Sequence, residues 1–234
     1  MVTILELAVI ETKQETHDVK SIKLEKPQFD FKPGQYMMME LDVDDPENGN
    51  TRPLSIASSP TENSLMFSTK ISQTLFKQKI NSLQSGDRIK IKGPMGIFTL
   101  KEDAKEIMFL GGGIGITPFR DMIKYAADKK LPIKLTLLYS NKTPNDIVYK
   151  DEWSVFEQEN SNLKVVNTVT DDTTNWNGKV GRINEAIIRE FCSDVKNTLF
   201  YICGPPGMVE GLYNLLKAMN VPLQNIKTEK FAGY

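Results

Sequence analysis

A glycine-rich segment between an apolar run and a Thr-Pro pair is the part of this chain best suited to bind a ligand. Ile107–Leu110 is predicted as a buried strand, Gly111-Gly112-Gly113-Ile114-Gly115 as a tight turn, and Thr117-Pro118 as a helix N-cap with proline at the first helical position. Free backbone N–H groups and the helix dipole favour an anion there, so the turn predicts a phosphate site. The alternative is a packing-driven turn that binds nothing. The spacing is not that of the G-x-G-x-x-G motif.

Two further unusual segments follow other strand-like runs. Tyr139-Ser140-Asn141 ends the run that begins at Ile133, and Cys203-Gly204-Pro205-Pro206-Gly207-Met208 ends the run that begins at Leu199. In open parallel sheets, ligands bind outside the carboxyl ends of the strands. Glycine and proline are common in loops of any kind. The glycine turn and these two segments nevertheless all follow predicted strands, and this shared placement favours one common site.

The elements that must position these segments alternate between strand-like and helix-like runs over residues 101–234. That pattern predicts an α/β Rossmann-like domain with a five-stranded parallel sheet covered by helices. The predicted strands are Ile107–Leu110, Ile133–Tyr139, Leu163–Val169, Leu199–Cys203 and Ile226–Lys230. The predicted helices are Phe119–Ala127, Tyr149–Glu157, Ile183–Phe191 and Met208–Met219.

Residues 1–100 differ, because they contain short alternating strands separated by turn signals. The predicted strands are Val2–Val9, Val19–Leu24, Gln35–Leu41, Arg52–Ala57, Leu65–Ile71 and Arg88–Lys92, with one short helix through Phe76, Ile80 and Leu83. Six short antiparallel strands predict a small closed barrel. The polar residues 101–105 mark the predicted boundary between two domains, 1–100 and 101–234.

Composition excludes several classes of function. The chain has 234 residues and a net charge of −1, so it has no general attraction to nucleic acid or anionic lipid. Cys192 and Cys203 are too few for a disulfide scaffold, a four-thiolate iron–sulfur cluster or a zinc site, and His17 alone cannot form a multi-histidine metal site. The N-terminal residues lack signal-peptide features and no apolar run is long enough to span a bilayer. We therefore expect a cytoplasmic protein without a metal and without membrane insertion.

Four motifs, in order and spacing, resemble the ferredoxin–NADP⁺ reductase superfamily of flavoenzymes. They are Arg52-Pro53-Leu54-Ser55, the glycine turn, Cys203–Met208 and the chain end Glu229-Lys230-Phe231-Ala232-Gly233-Tyr234. The resemblance covers essentially the whole chain. It implies an N-terminal antiparallel Greek-key β-barrel that binds FAD and a C-terminal α/β domain that binds the nicotinamide dinucleotide, which agrees with the division above.

The resemblance assigns the flavin to the first motif. Arg52 would bind the pyrophosphate, because guanidinium and phosphate match in bidentate geometry. Ser55 would lie near the reactive flavin nitrogen and assist proton or hydride movement. Pro53 and Leu54 complete the motif, with Leu54 in place of the usual tyrosine, so that it would cover the ring by apolar contact without an aromatic face.

Two other segments are matched to the flavin by the same resemblance. Lys70 and Thr74 fall in the second phosphate-binding stretch, although Lys70 could equally be solvated and Thr74 could act only as a helix cap. At the chain end, Phe231 would cover the ring where nicotinamide enters and Glu229 would relay protons. Tyr234 would stack on the ring or on the adenine. A frayed terminus is the alternative for this segment.

The nicotinamide dinucleotide is matched to the C-terminal half. Cys203 would place the nicotinamide against the flavin, or act only as a small buried residue. Ser55, Cys203 and Glu229 are thus the predicted catalytic residues. The predicted NAD(P)H-binding residues are Gly111, Gly112, Gly113, Ile114, Gly115, Thr117, Ser140, Asp171, Cys203, Gly204, Pro205 and Met208.

The choice between NADH and NADPH depends on charge near the adenosine 2′-position. The third strand of the α/β half is followed by Thr170-Asp171-Asp172, and a carboxylate there repels a 2′-phosphate, which favours NADH. Lys142, Lys179 and Arg182 leave NADPH open.

These features together predict an FAD-dependent NAD(P)H oxidoreductase. Because the chain lacks the thiolates for its own cluster, electrons must leave to a separate acceptor, for which we expect ferredoxin, flavodoxin or another small redox protein. The alternatives are an electron-transfer subunit of a larger redox complex, a flavin or ferric reductase with a small-molecule acceptor, and a regulatory module that binds a nucleotide without chemistry. The sequence carries no signal for the oligomeric state.

Overall fold

The N-terminal half is built from six antiparallel strands. The computed structural model describes residues 2–26, 29–46, 49–171 and 173–232. The strands are β1 (Thr3–Gln14), β2 (Val19–Glu25), β3 (Tyr36–Glu40), β4 (Thr51–Ser55), β5 (Ser64–Lys70) and β6 (Arg88–Met95). Helix α1 (Leu75–Ser82) joins β5 to β6. The predicted strands and the short helix are confirmed, with shifted ends.

These strands form a nearly closed barrel in the order β4-β3-β6-β1-β2-β5. Strand β6 lies between β3 and β1, which is the non-local pairing of a Greek key. A single bridge between Ile56 and Phe67 links the two outer strands of the sheet. Along β6, Ile89 and Ile91 point into the core while the intervening basic side chains are exposed, so the period-two pattern sets the inside and outside of the barrel.

The C-terminal half alternates strands and helices. Its strands are β7 (Glu106–Gly112), β8 (Lys134–Asn141), β9 (Leu163–Val169), β10 (Lys179–Val180), β11 (Leu199–Gly204) and β12 (Ile226–Lys230). Its helices are α2 (Thr117–Asp128), α3 (Lys150–Glu159), α4 (Glu185–Phe191) and α5 (Pro206–Ala218). All strand pairs are parallel, in the order β10-β9-β8-β7-β11-β12.

The parallel sheet has six strands, so the predicted number of five was one too low. The additional strand β10 is two residues long and pairs Lys179 with Thr168 and Val180 with Val169. Two residues show no periodicity, and this strand exists only because β9 offers an edge on which to pair. The predicted α/β architecture itself is confirmed.

A buried polar cluster joins the two halves. Arg120 of α2 is 5% exposed, and its guanidinium donates to Glu62 at 2.9 and 3.1 Å and to the Ala57 carbonyl at 2.8 Å, all in the barrel half. It also contacts Glu152 of α3 at 2.6 Å. Beside it, the Gly34 N–H donates to Asp121 at 2.6 Å. Since one hydrophobic cluster also crosses the boundary, the halves are held in a fixed orientation.

Candidate functional site

The glycine turn lies at the carboxyl end of the central strand β7. Residues Gly113–Ile116 form a 3₁₀ turn and α2 begins at Thr117. The Thr117 hydroxyl donates to the Ile114 carbonyl at 3.1 Å. The prediction of Thr117 as the N-cap was therefore wrong, because Thr117 is the first residue of the helix and Ile116 precedes it as the N-cap. The Thr117 hydroxyl bonds to a carbonyl of the 3₁₀ turn instead of capping the helix. The strand–turn–helix order was correct.

Two glycines of this turn have different physical roles. Gly113 has φ +53°, and a Cβ there would meet nothing within 4 Å, so open space lies above its backbone. At Gly115 a Cβ would lie 2.5 Å from the Cys203 carbonyl oxygen, which only glycine permits. The turn after β7 is thus pressed against the end of β11 on one side and open on the other.

An open groove of about 580 Å³ continues from this turn along the sheet edge. It lies between the ends of β8 and β9 and the start of α5, and Lys142 and Arg182 stand on its wall. Four of the predicted dinucleotide residues line it, namely Gly112, Ser140, Pro205 and Met208. The structure therefore brings together the three strand-end segments that the sequence singled out.

Asp171 stands beside the groove rather than on its wall. Its carboxylate accepts a hydrogen bond from the Thr170 hydroxyl at 2.8 Å, and Thr170 does line the groove. Of the basic residues that left NADPH open, Lys179 is paired with Glu190 at 2.6 Å. Lys142 and Arg182 are thus the cations placed to meet a ligand in the groove.

A second pocket, of about 250 Å³, is shared by the two halves. Pro53 and Ser55 come from β4, and Glu229 and Phe231 come from the end of the chain. The Phe231 N–H donates to the Gly204 carbonyl at 3.0 Å, which fixes the terminal segment across the end of β11. Tyr36 also lines this pocket. Sequence reasoning missed Tyr36, although an aromatic residue just after the Lys32-Pro33-Gly34 turn was an available signal.

Glu229 of β12 has a carboxyl group that is largely buried. Its Oε2 atom is buried without a hydrogen-bond partner among the described residues, and burial raises the pKa of this carboxyl to about 7. Cys203 is opposite Glu229 in the β11–β12 register and is fully buried. Burial, and then the charge of Glu229, raise the pKa of the Cys203 thiol well above its usual value. Cys203 is therefore a neutral thiol, while Glu229 can exchange a proton near neutral pH.

Arg52 lies on the barrel near the start of α1. Its guanidinium is 5.2 Å from the centroid of the Phe76 ring and donates to the Thr51 carbonyl at 2.8 Å. Thr74 is the N-cap of α1, and its hydroxyl accepts from the Lys77 N–H at 3.4 Å. Thr74 therefore does cap the helix. Guanidinium and helix start occur together here, the combination that suits a phosphate.

Two other predicted flavin residues, Lys70 and Leu54, are placed differently. Lys70 forms an ion pair with Asp18 at 2.7 Å, so a carboxylate already neutralises its charge. Leu54 is 3% exposed and packs in the barrel core, so the structure does not bring it to the pocket wall that Pro53 and Ser55 form. Tyr234 lies outside the described residues.

The residues present fit the two cofactors that such a site would hold. The open backbone at Gly113 and the groove beside it suit an extended dinucleotide, since backbone N–H groups at a helix start bind phosphate. Glu229, which lines the shared pocket, has a buried carboxyl oxygen without a hydrogen-bond partner among the described residues, and a polar group of a bound ligand would suit it. Arg52 supplies the cation that a pyrophosphate requires.

Family models match both halves of the chain. Residues 6–100 match an oxidoreductase FAD-binding domain and residues 109–213 match an oxidoreductase NAD-binding domain. The chain belongs to the ferredoxin–NADP⁺ reductase superfamily. It is an oxidoreductase of that superfamily, and its domains are those that bind FAD and NAD(H).

Curated relatives are components of a larger enzyme. The chain is 31% identical over 161 residues to one subunit of the Na(+)-translocating NADH-quinone reductase of Marinomonas sp. (strain MWYL1), covering 65% of this chain and 39% of the relative. The corresponding subunit from Pseudoalteromonas atlantica is 29% identical over 184 residues, covering 76% and 44%. The chain thus spans about two fifths of the length of the curated relatives it matches.

Solved structures share the fold over nearly the whole chain. The flavohem-like FAD/NAD-binding domain of nitric oxide dioxygenase from Vibrio cholerae has a TM-score of 0.85 at 21% identity, covering 97% of this chain and 98% of that one. A ferredoxin NADP⁺ reductase from Neisseria gonorrhoeae has a TM-score of 0.84 at 20% identity, covering 97% of each chain. At these identities the likeness shows the fold. Within the part of the chain that the structure describes, no helix combines the length and apolarity needed to cross a membrane.

Proposed function

We propose that this protein oxidises NADH, or NADPH less readily, through bound FAD and delivers the electrons to a separate small redox protein. The observation that carries the proposal is the pocket shared by the two halves, where Ser55 of the barrel meets Glu229 and Phe231 of the chain end. FAD, when bound, supplies the capacity to accept a hydride and to release electrons one or two at a time. The protein's own residues supply binding, orientation and proton control.

Each half contributes a separate part of this work. Arg52 would bind the FAD pyrophosphate, and the Ser55 hydroxyl would hydrogen-bond the edge of the flavin ring. Gly113 and its neighbours at the start of α2 would bind the dinucleotide pyrophosphate. Cys203, whose thiol is buried and neutral and whose backbone carbonyl lies against Gly115, would position the nicotinamide rather than react with it.

The chain end would control protons and access. Glu229 stands in the shared pocket with a pKa of about 7, so it would gain or lose a proton in the range where the enzyme works. Phe231 would cover the ring and exclude water until nicotinamide enters. The hydrogen bond from the Phe231 N–H to the Gly204 carbonyl keeps this segment in place for both roles.

The donor preference rests on the ends of β8 and β9. The exposed Asp171 carboxylate would repel a 2′-phosphate and thus favours NADH. Lys142 and Arg182 on the groove wall would keep NADPH as a weaker donor.

Anaerobic stopped-flow spectroscopy tests the proposal as a whole. The purified protein is reconstituted with FAD and mixed with NADH or NADPH while flavin absorbance is followed. We expect flavin bleaching with both donors. The rate constant of flavin reduction divided by the dissociation constant of the donor should be higher for NADH than for NADPH. Protein that takes up no flavin would instead support a regulatory nucleotide-binding module. Ferredoxin, flavodoxin and a ferric chelate, added separately to the reduced protein, identify the class of acceptor.

A second candidate function is an electron-transfer subunit of a larger redox complex. It is favoured by the relatives, which are subunits of a NADH-quinone reductase. Affinity purification of tagged protein from its own cells distinguishes the two. A stoichiometric assembly that keeps NADH-dependent electron transfer would favour the subunit, and a free protein that reduces ferredoxin or flavodoxin would favour the small-acceptor reductase.

A further inference from the structure

Tyr36 is an aromatic side chain that the barrel contributes to the pocket shared by the two halves. In the β3–β4 pairing it lies directly opposite Ser55, and both residues line that pocket. Directly opposed residues of an antiparallel pair place their side chains on the same face of the sheet, with Cβ atoms about 4.5–5.5 Å apart. The Tyr36 side chain therefore stands next to that of Ser55, while Leu54, on the other face of β4, packs in the barrel core.

The local backbone of the barrel holds the Tyr36 ring at this pocket. The β3–β6 register shifts between Tyr36 and Met38, an irregularity of the β-bulge kind, and such irregularities re-aim a side chain. Gly96, with φ +101°, lies against the ring, and a Cβ there would be 3.0 and 3.2 Å from its Cδ1 and Cε1 atoms. Glycine tolerates this φ and leaves room for the ring. Two irregular positions in the barrel thus serve the placement of one tyrosine.

The pocket has an aromatic side chain from each half of the molecule. Phe231 of the chain end lines it together with Tyr36, and its volume is about 250 Å³. Ser55 and Glu229 add a hydroxyl and a carboxyl to the same wall. Aromatic rings attract one another in offset-stacked and edge-to-face arrangements. Two aromatic side chains with polar groups beside them suit a flat aromatic ring that carries hydrogen-bonding atoms.

We propose that Tyr36 contacts the isoalloxazine ring of FAD and forms the barrel-side wall of the site for that ring. This inference rests on the proposed function, because it assumes that FAD occupies the shared pocket. The contact is made by the aromatic ring of Tyr36. It therefore contributes to the affinity for the flavin ring itself and not to the affinity for the pyrophosphate or the adenine.

The first test measures the binding of FAD and of riboflavin to the apoprotein by isothermal titration calorimetry. Riboflavin carries the flavin ring without the pyrophosphate and the adenine. Tyr36→Leu removes the aromatic ring, so both dissociation constants should rise by the same factor, about threefold to tenfold. Tyr36→Phe keeps an aromatic ring and should bind both flavins within about twofold of the wild type.

Flavin fluorescence gives a second readout that a packing role would not change. A phenol in contact with a flavin quenches its fluorescence, because the excited flavin takes an electron from the phenol and then returns it. A phenylalanine ring is much harder to oxidise, so riboflavin bound to Tyr36→Phe should be more fluorescent than riboflavin bound to the unchanged pocket. Both proteins carry Tyr234→Phe, because the sequence also predicts a flavin contact for Tyr234. This comparison still decides the matter if Tyr36→Leu does not fold.

The matched control is Tyr125→Leu, which removes a half-buried tyrosine of α2 and should leave both flavin affinities unchanged. A Tyr36→Leu protein that binds FAD more weakly but riboflavin as before would overturn the inference, because the contact would then be with another part of FAD. Unchanged affinities for both flavins would also overturn it.

Equal fluorescence of riboflavin in the two pockets would overturn the inference even if the affinities fell, since a distorted pocket weakens binding without a contacting phenol. These outcomes leave the proposed function intact when the wild type binds FAD. A wild-type apoprotein that takes up neither flavin would refute the proposed function, and the inference with it.

Discussion

Glu229→Gln should make the stability of the apoprotein less dependent on pH. Burial raises the pKa of the Glu229 carboxyl from 4.5 to about 7, and its Oε2 atom has no hydrogen-bond partner among the described residues. The native state therefore binds a proton that the unfolded chain has lost. Stability contributed by this group is fully present below pH 4.5 and declines as pH rises to about 7. Glutamine keeps the shape of the protonated side chain and cannot ionise.

The size of the effect follows from the same shift. Each pH unit over which the native state holds one extra proton changes the free energy of unfolding by about 1.4 kcal/mol. The interval from 4.5 to 7 would give about 3 kcal/mol at most, and partial exposure of Glu229 to water reduces this to about 2 kcal/mol. For a chain of this length, that difference corresponds to a rise of about 4–8 °C in melting temperature.

The assay is thermal and urea unfolding of the flavin-free protein from pH 4.5 to pH 8. The Gln variant and the wild type should have similar stability at pH 4.5, and the variant should become progressively more stable up to pH 8. Glu210→Gln, which removes an exposed carboxyl from α5, controls for the loss of one negative charge. Parallel pH profiles for the wild type and Glu229→Gln would refute the reasoning, because the carboxyl would then ionise alike in both states.

Three other predictions concern the α/β half. Gly115→Ala places a methyl 2.5 Å from the Cys203 carbonyl oxygen, so it should destabilise the protein by about 1–3 kcal/mol and weaken NADH binding, and an unchanged melting temperature would count against this packing. Asp121→Asn keeps an acceptor for the Gly34 N–H. Because burial raises the pKa of Asp121 well above its usual value, the wild type loses stability as pH rises, and the Asn variant should become increasingly more stable than the wild type. A stability difference between the two proteins that stays constant with pH would contradict this. Asp171→Arg should shift the ratio of specificities at least tenfold toward NADPH, and an unaltered ratio would place the discriminating residue elsewhere.

Local patterns predicted the elements well where they were long and periodic. The alternation of side chains in β6 and the apolar run before Gly111 were sufficient to predict strands β6 and β7, because both patterns reflect which side chains are buried. The sequence could not reveal β10, since two residues show no period. Position 117 was also misjudged, because whether a 3₁₀ turn precedes the helix depends on how Gly115 packs against β11.

The site residues divided along the same line. Ser55 and Glu229 were found through motifs, and the fold alone brought them into one pocket. Tyr36 belongs to no motif, and it lines the pocket because the fold brings it beside Ser55 and Glu229. The burial that raises the pKa of Glu229 cannot be seen in composition either. Motifs therefore missed the residue and the property that depend on the folded structure.

The Arg120 cluster limits how this protein could exchange domains with its relatives. A chimera that kept the α/β half but took its barrel from elsewhere would lose Glu62 and the Ala57 carbonyl as partners of a guanidinium that is 5% exposed. Loss of one partner from a buried ion pair costs about 3–5 kcal/mol, a large fraction of the stability of an ordinary domain. Successful recombination would have to transfer the Ala57–Glu62 segment together with α2. The Ala57–Glu62 segment and α2 should therefore be inherited together, even though the cofactor sites of the two halves are built from separate motifs.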